Sequence, residues 1–221
     1  MKRNRSIHRS QRRSNQGFST LEMLMVMFVS LVIAAFAIPG FDQARRAMRI
    51  SGDGRDLNGA INQAKLLAAA DFTRARLYVD VNARTFHVET WNQALNCWQT
   101  VNDPNNPCTA QGSPVQSLSP GVTFGFAGVG APPPNAQPNG IAQAPLCHKL
   151  KGNGNNFLAG TACVHFNSRG LPIDPKTSAP TAGDAIYITD NTQVYGVTLG
   201  STGLSQVWAI DAKGNGNWYR K

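Results

Sequence analysis

Four cysteines and four histidines are the residues of this 221-residue chain with the widest chemical repertoire. Cys147, His148, Cys163 and His165 suggest a cation site, because thiolate sulfur and imidazole nitrogen are the usual zinc donors. Their spacing matches neither a zinc ribbon nor a zinc finger, and an oxidising compartment works against thiolate ligands. If the segment that carries them is exported, disulfides are expected instead. Four cysteines allow three pairings. Cys97 with Cys108 and Cys147 with Cys163 are favoured because each closes a short loop, a constraint worth about 3 kcal/mol apiece in the chain-entropy account. Neither a metal nor a cofactor is expected.

No catalytic set emerges from the acids. Asp174, Asp184, Asp190 and Asp211 are scattered beside turn residues, where aspartate commonly accepts hydrogen bonds from backbone amides. The chain has no G-x-S-x-G, H-E-x-x-H or phosphate-loop pattern, and Lys151-Gly152-Asn153-Gly154-Asn155 is expected to be a flexible turn. An enzyme is therefore not expected.

One acid stands apart. From Leu21 to Ile38 every residue is apolar except Glu22 and Ser30. A helix from Phe18 to Gly40 would be roughly 34 Å long, enough to cross a bilayer. A carboxylate at the bilayer centre would cost about 2.5–3.5 kcal/mol, so Glu22 needs a reason. Six of the 21 basic residues (Lys2, Arg3, Arg5, Arg9, Arg12, Arg13) lie before Phe18, in a stretch without acids. Beyond it remain 15 basic and 12 acidic residues, a net charge of +3. The basic flank predicts a cytoplasmic N-terminus with the rest of the chain across the membrane. A secretory signal cleaved after Ala35-Phe36-Ala37 and an uncut anchor are the competing readings; neither explains Glu22.

The elements that would carry these residues can be read from periodicity. Leu57, Ile61, Ala64 and Ala68 form an apolar helical stripe fit to lie on a globular domain. Gly52 and Gly54 predict a break or frayed turn near Ser51-Gly52-Asp53-Gly54, and Pro39 predicts a kink. Leu77, Val79 and Val81 alternate with Tyr78 and Asp80, then Phe86 and Val88 with His87 and Glu89, which predicts a hairpin. Further strands are expected at Val122–Phe126, Ala162–Phe166, Ala185–Thr189, Gln193–Leu199, Gln206–Asp211 and Asn217–Arg220. Pro-, Asn- and Gly-rich stretches at residues 92–121 and 127–160 predict long loops. The expected organisation is a basic leader over residues 1–17, an apolar helix over 18–40, a polar half-helix over 41–73 and a β-rich globular domain over 74–221.

Gln16-Gly17-Phe18-Ser19-Thr20-Leu21-Glu22, followed by apolar or small residues from Met23 to Phe36, resembles the processing and methylation site of type IV prepilins. The resemblance implies that a prepilin peptidase cuts between Gly17 and Phe18 and methylates the new Phe18 amine. It also implies that Glu22 meets the Phe18 amine of a neighbouring subunit and sets the register of a filament. The layout it implies is α+β and pilin-like, with a long N-terminal helix, membrane-embedded in its first half, packed on a C-terminal antiparallel sheet domain. The run Asn167-Ser168-Arg169-Gly170-Leu171-Pro172, then Ala185-Ile186-Tyr187-Ile188 and a closing strand at Trp218, resembles the GspH/FimT group of minor pseudopilins and minor pilins. Membership would imply a structural subunit of a type II secretion pseudopilus or a type IV pilus. Its partners would be other pilins, an inner-membrane assembly platform, the peptidase and lipid, and its location the inner membrane with a periplasmic domain.

Some FimT-like minor pilins bind DNA through a basic C-terminal motif resembling G-R-x-R. Gly216-Asn217-Trp218-Tyr219-Arg220-Lys221 lacks the first arginine, although Arg220 and Lys221 still offer two cations beside two aromatics. With a processed charge of only +3, DNA is the alternative partner and not the expected one.

Overall fold

The computed structural model describes residues 19–101, 108, 115–148, 157–213 and 216–221. The leader, the Gly17-Phe18 processing site and the turn at Lys151–Asn155 lie outside the described residues. The chain divides into two compact units, residues 1–44 and 45–221.

One helix, α1 (Thr20–Ala70), carries the chain from the first unit into the second. In the first unit every described side chain from residue 19 to 36 is exposed. Its span is long and apolar enough to cross a membrane by length and composition. The backbone stays helical through residue 39.

The break expected near Ser51–Gly54 does not occur, because α1 runs unbroken through it. Tertiary packing overrides the poor helix propensity there. Ile50 and Asp53 are buried. Asp53 Oδ1 accepts from Ser119 Oγ (2.8 Å) and Oδ2 from Ser119 N (3.0 Å), latching the helix to a loop. Gly54 makes room for an aromatic ring: a Cβ there would lie 3.1 Å from Tyr195 Cδ1. The glycine serves close approach, not a turn.

Two antiparallel sheets follow. The strands are β1 (Ala75–Asp80), β2 (Thr85–Asn92), β3 (Cys97–Thr100), β4 (Gln116–Ser117), β5 (Thr123–Phe124), β6 (Thr161–Phe166), β7 (Pro172–Ile173), β8 (Ala185–Thr189), β9 (Gln193–Leu199), β10 (Ser205–Asp211) and β11 (Tyr219–Arg220). Sheet A has the order β3-β2-β1-β6-β7, with β4 also pairing β2, and sheet B the order β11-β10-β9-β8-β5. The hairpin expected around residues 77–89 is β1–β2, with Leu77 opposite Val88 and Val79 opposite Phe86. Two strands, β3 and β4, fall inside the segment 92–121 that composition alone marks as loop. Both borrow their order from β2, which pairs Trp91 with Trp98 and Phe86 with Gln116.

The core forms where α1 meets one face of each sheet. Leu57, Ile61, Ala64 and Ala68, the expected stripe, are buried in one cluster with Leu77, Val79, Phe86 and Val164 of sheet A and Ile186, Ile188, Tyr195 and Val197 of sheet B. Period-2 alternation delivers these side chains to the helix side. The opposite faces of both sheets are left for other uses.

Candidate functional site

Three places in the described residues carry unusual chemistry: the exposed apolar helix, the far face of sheet A and the C-terminal strand.

Glu22 lies in the first turn of α1 and is exposed, as are the apolar residues that follow it. A carboxylate in the first turn also complements the partial positive charge of a helix N-terminus. The described side chains of residues 19–36 of this helix are exposed, whereas Ile50, Leu57, Ile61, Ala64 and Ala68 further along it are buried in the core. Phe18 and Gly17 lie outside the described residues, so the geometry of the amine and Glu22 is not among the observed contacts.

On the far face of sheet A the register assembles a row of polar side chains. His165 stands opposite Arg76, Arg76 opposite Glu89 and Glu89 opposite Thr100. All four are buried, Arg76 and Glu89 with 0% exposure. Arg76 Nε donates to Glu89 Oε2, and its Nη1 donates to His148 O at 3.1 Å. The guanidinium lies over Trp98, 4.2 Å from the ring centroid, with Tyr78 at 5.4 Å. His87 Nε2 approaches Glu89 Oε1 at 3.3 Å and its ring stacks on Tyr78. Burial alone would raise the Glu89 pKa, but Arg76 and His87 outweigh it and hold the carboxyl below its usual range. Burial, with Arg76, His148 and Arg74 nearby, pushes the His165 pKa well below that of a free histidine. Periodicity predicted a polar face at His87 and Glu89; only register and cover show it to be dry.

The cover is tied down by sulfur. Cys147 is bonded to Cys163 and Cys97 to Cys108, with Cα separations of 5.0 and 5.4 Å. Cys163 lies on the polar face, one row from Arg76, and opposite Tyr78. The strap that carries Cys147 is also held by Cys163 N donating to Pro145 O (2.8 Å) and Cys147 N donating to Thr161 Oγ1 (3.0 Å). With both sulfurs in a bond, the alternative zinc set of Cys147, His148, Cys163 and His165 loses its thiolates. Among the described residues no group of three or more His, Cys, Asp or Glu side chains is placed to hold a metal.

The four aspartates separate. Asp174, Asp190 and Asp211 accept from main-chain amides two or three residues on. Asp184 does not: its Oδ2 is buried without a hydrogen-bond partner, and burial together with Asp174 pushes its pKa up to about 6. No nucleophile or acid–base pair converges on it among the described contacts.

At the C-terminal strand Arg220 lies over Trp208 with its Cζ 5.0 Å from the ring centroid, while Lys221 lies over Tyr219 (5.1 Å) and Tyr195 (5.8 Å). Trp218 precedes β11, is half-buried, and packs on Tyr187.

Comparison with protein-family models finds no match, and none is found among curated proteins. Among solved structures the chain is similar to the minor pseudopilin EpsH from the type 2 secretion system of Vibrio cholerae, at 12% identity and a TM-score of 0.34. The alignment covers 78% of this chain and 96% of that one, a likeness too low for any residue role to be carried across.

Proposed function

We propose that this chain is a minor pilin or pseudopilin, a structural subunit held in the inner membrane by the first segment of α1 and then assembled into a filament through that segment. The observation that carries the reading is the division of a single helix. The described side chains of residues 19–36 are all exposed, while Leu57, Ile61, Ala64 and Ala68 of the same helix are buried. An apolar surface of that length needs lipid or neighbouring helices of the same kind. Glu22 at its start is then the partner for a cationic chain end, the Phe18 amine released by a peptidase that cuts after Gly17. The periplasmic side for residues 45–221 follows from the basic flank and suits two disulfides.

Intact mass and N-terminal sequencing of the membrane-extracted protein test this directly. The expected chain begins at methylated Phe18. A chain beginning at Ile38 overturns the proposal in favour of an ordinary exported protein. Glu22→Ala is expected to abolish filament incorporation while leaving the domain folded; unaltered incorporation removes the assembly role.

A further inference from the structure

Sheet B has a far face of its own, and a cleft is built on it. One wall is the segment 126–144, pinned to the sheet in three places. Gln137 Nε2 donates to Gly183 O (2.9 Å) while its Oε1 accepts from Tyr187 Oη (2.8 Å). Gln143 accepts from Tyr187 N and donates to Tyr187 O, both at 2.8 Å. Trp218 Nε1 donates to Ala131 O at 2.9 Å. Gly183 adopts φ 92°, and a Cβ there would lie 3.1 Å from Ala136 O, so the wall sits as close as backbone allows. The other wall is the β9–β10 turn, tied back to α1 by Lys65 Nζ donating to Gly203 O (3.0 Å). Between the walls is a cavity of about 420 Å³, floored by Thr198, Gln206 and Trp208 with Arg220 at its side.

We propose that this cleft receives an acidic side chain of an extended polypeptide, with its carboxylate on Arg220. Among the described residues of the lining Arg220 is the one charged side chain, and none is an aspartate or glutamate. Its guanidinium lies over the Trp208 ring, Cζ 5.0 Å from the centroid, a cation–π contact that restricts the donor fork before a ligand arrives. Preorganisation of this kind lowers the ordering cost of binding. A carboxylate accepts such a fork through two parallel hydrogen bonds. The remaining polar side chains of the described lining, Asn135, Thr198, Ser201, Thr202 and Gln206, are neutral and suit the amides on either side of that acid. A single-stranded nucleic acid fits less well, because it needs a track of cations and free aromatic faces. Trp208 is only 7% exposed with Arg220 over its ring, and Lys221 is engaged over Tyr219 and Tyr195. The inference is independent of the filament reading, since a cleft of this form would take a peptide whether or not the chain polymerises.

The full chain in detergent micelles, labelled with ¹⁵N, provides the test. Trp208 Nε1 donates to Thr198 Oγ1 (3.0 Å) in the cleft floor, so its indole resonance, assigned from a Trp208→Phe variant, is the reporter. The probes are acetyl-Gly-Ser-Glu-Ser-Gly-amide, its glutamine analogue, sodium acetate and a ten-residue oligothymidylate. The glutamate peptide is expected to shift the resonance saturably and to bind at least about tenfold more tightly than the glutamine peptide. Arg220→Gln is expected to abolish that preference, and Ser201→Trp, which fills the cleft while leaving Arg220 in place, to abolish binding. Equal response to both peptides, acetate binding as tightly as the peptide, or oligothymidylate binding more tightly through Arg220 each overturns the proposal.

Discussion

Arg76 and Glu89 face each other across β1 and β2 with no exposed surface on either, the guanidinium Nε donating to the carboxylate Oε2. The pair lies on the sheet face turned away from the apolar core, between His165 and Thr100. Burying two opposite charges is costly, and what attraction and aromatic stacking return is roughly the desolvation penalty. The pair therefore specifies which strands lie side by side more than it stabilises them.

Replacing Glu89 alone with leucine leaves a buried guanidinium without its counter-charge, and a loss of about 3–5 kcal/mol is expected. The double replacement Arg76→Met with Glu89→Leu should recover most of that loss. Denaturant titration of the full chain in micelles, followed by tryptophan fluorescence, measures both. A double variant no more stable than the single one contradicts the account.

The acid response should have two opposing parts. His165 titrates well below its unfolded value of 6.5 because it is buried near Arg76. Below pH 6.5 the unfolded chain binds the proton more readily, so this contribution to stability is complete above 6.5 and falls as the pH drops toward the folded pKa. Asp184 runs the other way. Its folded pKa of about 6 exceeds the unfolded 3.8, so the folded chain binds more protons between them and gains stability as pH falls from 6 toward 4. His165→Leu should remove the acid-induced loss. Asp184→Asn should remove the gain and raise stability at pH 7 by about 2 kcal/mol. Urea midpoints between pH 4 and 8 separate the two.

Four glycines divide by what surrounds them. A Cβ at Gly52 or Gly59 would meet nothing within 4 Å, so alanine there should stabilise by about 0.5–1 kcal/mol. Gly54→Ala brings the same helix propensity against Tyr195 Cδ1 at 3.1 Å and should lose that benefit. Gly196→Ala would place Cβ 2.6 Å from Tyr187 Cε1 and should cost about 2 kcal/mol or more. Thermal midpoints rank the four; equal effects at Gly52 and Gly54 would deny the close approach to Tyr195.

Removing the Cys147–Cys163 bond as a double alanine variant should cost about 3 kcal/mol. It should also speed hydrogen exchange at the Cys163 amide position, which donates to Pro145 O beneath the strap. Removing Cys97–Cys108 should leave that amide protected. Exchange measured by mass spectrometry on both variants distinguishes a local cover from a general loss of stability.

Much of this architecture could be read from residue order. The stripe at Leu57, Ile61, Ala64 and Ala68 and the alternation over residues 77–89 each report a periodic apolar face, and both faces meet in the core. What periodicity does not report is what covers the other face. His87 and Glu89 are spaced as an exposed polar row would be, and only the pairing of Arg76 with Glu89 and His165 reveals a dry one. Glycine was ambiguous for the same reason: Gly54 weakens a helix locally but admits Tyr195 from a strand about 140 residues away. β3 and β4 lie in a segment whose composition suits a loop, and their order comes from β2. Arg220 could be picked out as a cation near the C-terminus, whereas its place over Trp208 depended on β10 and β11 lying together.

Gln137 and Gln143 fasten the segment 126–144 to the sheet at Gly183 and Tyr187, yet several side chains along that wall, Pro134, Asn135 and Ala136 among them, merely border the cleft. Attachment and recognition are thus assigned to different positions. The Pro134 and Ala136 side chains are therefore the positions at which the proposed cleft can be varied without touching the hydrogen bonds of Gln137 and Gln143, much as interchangeable bits fit one handle.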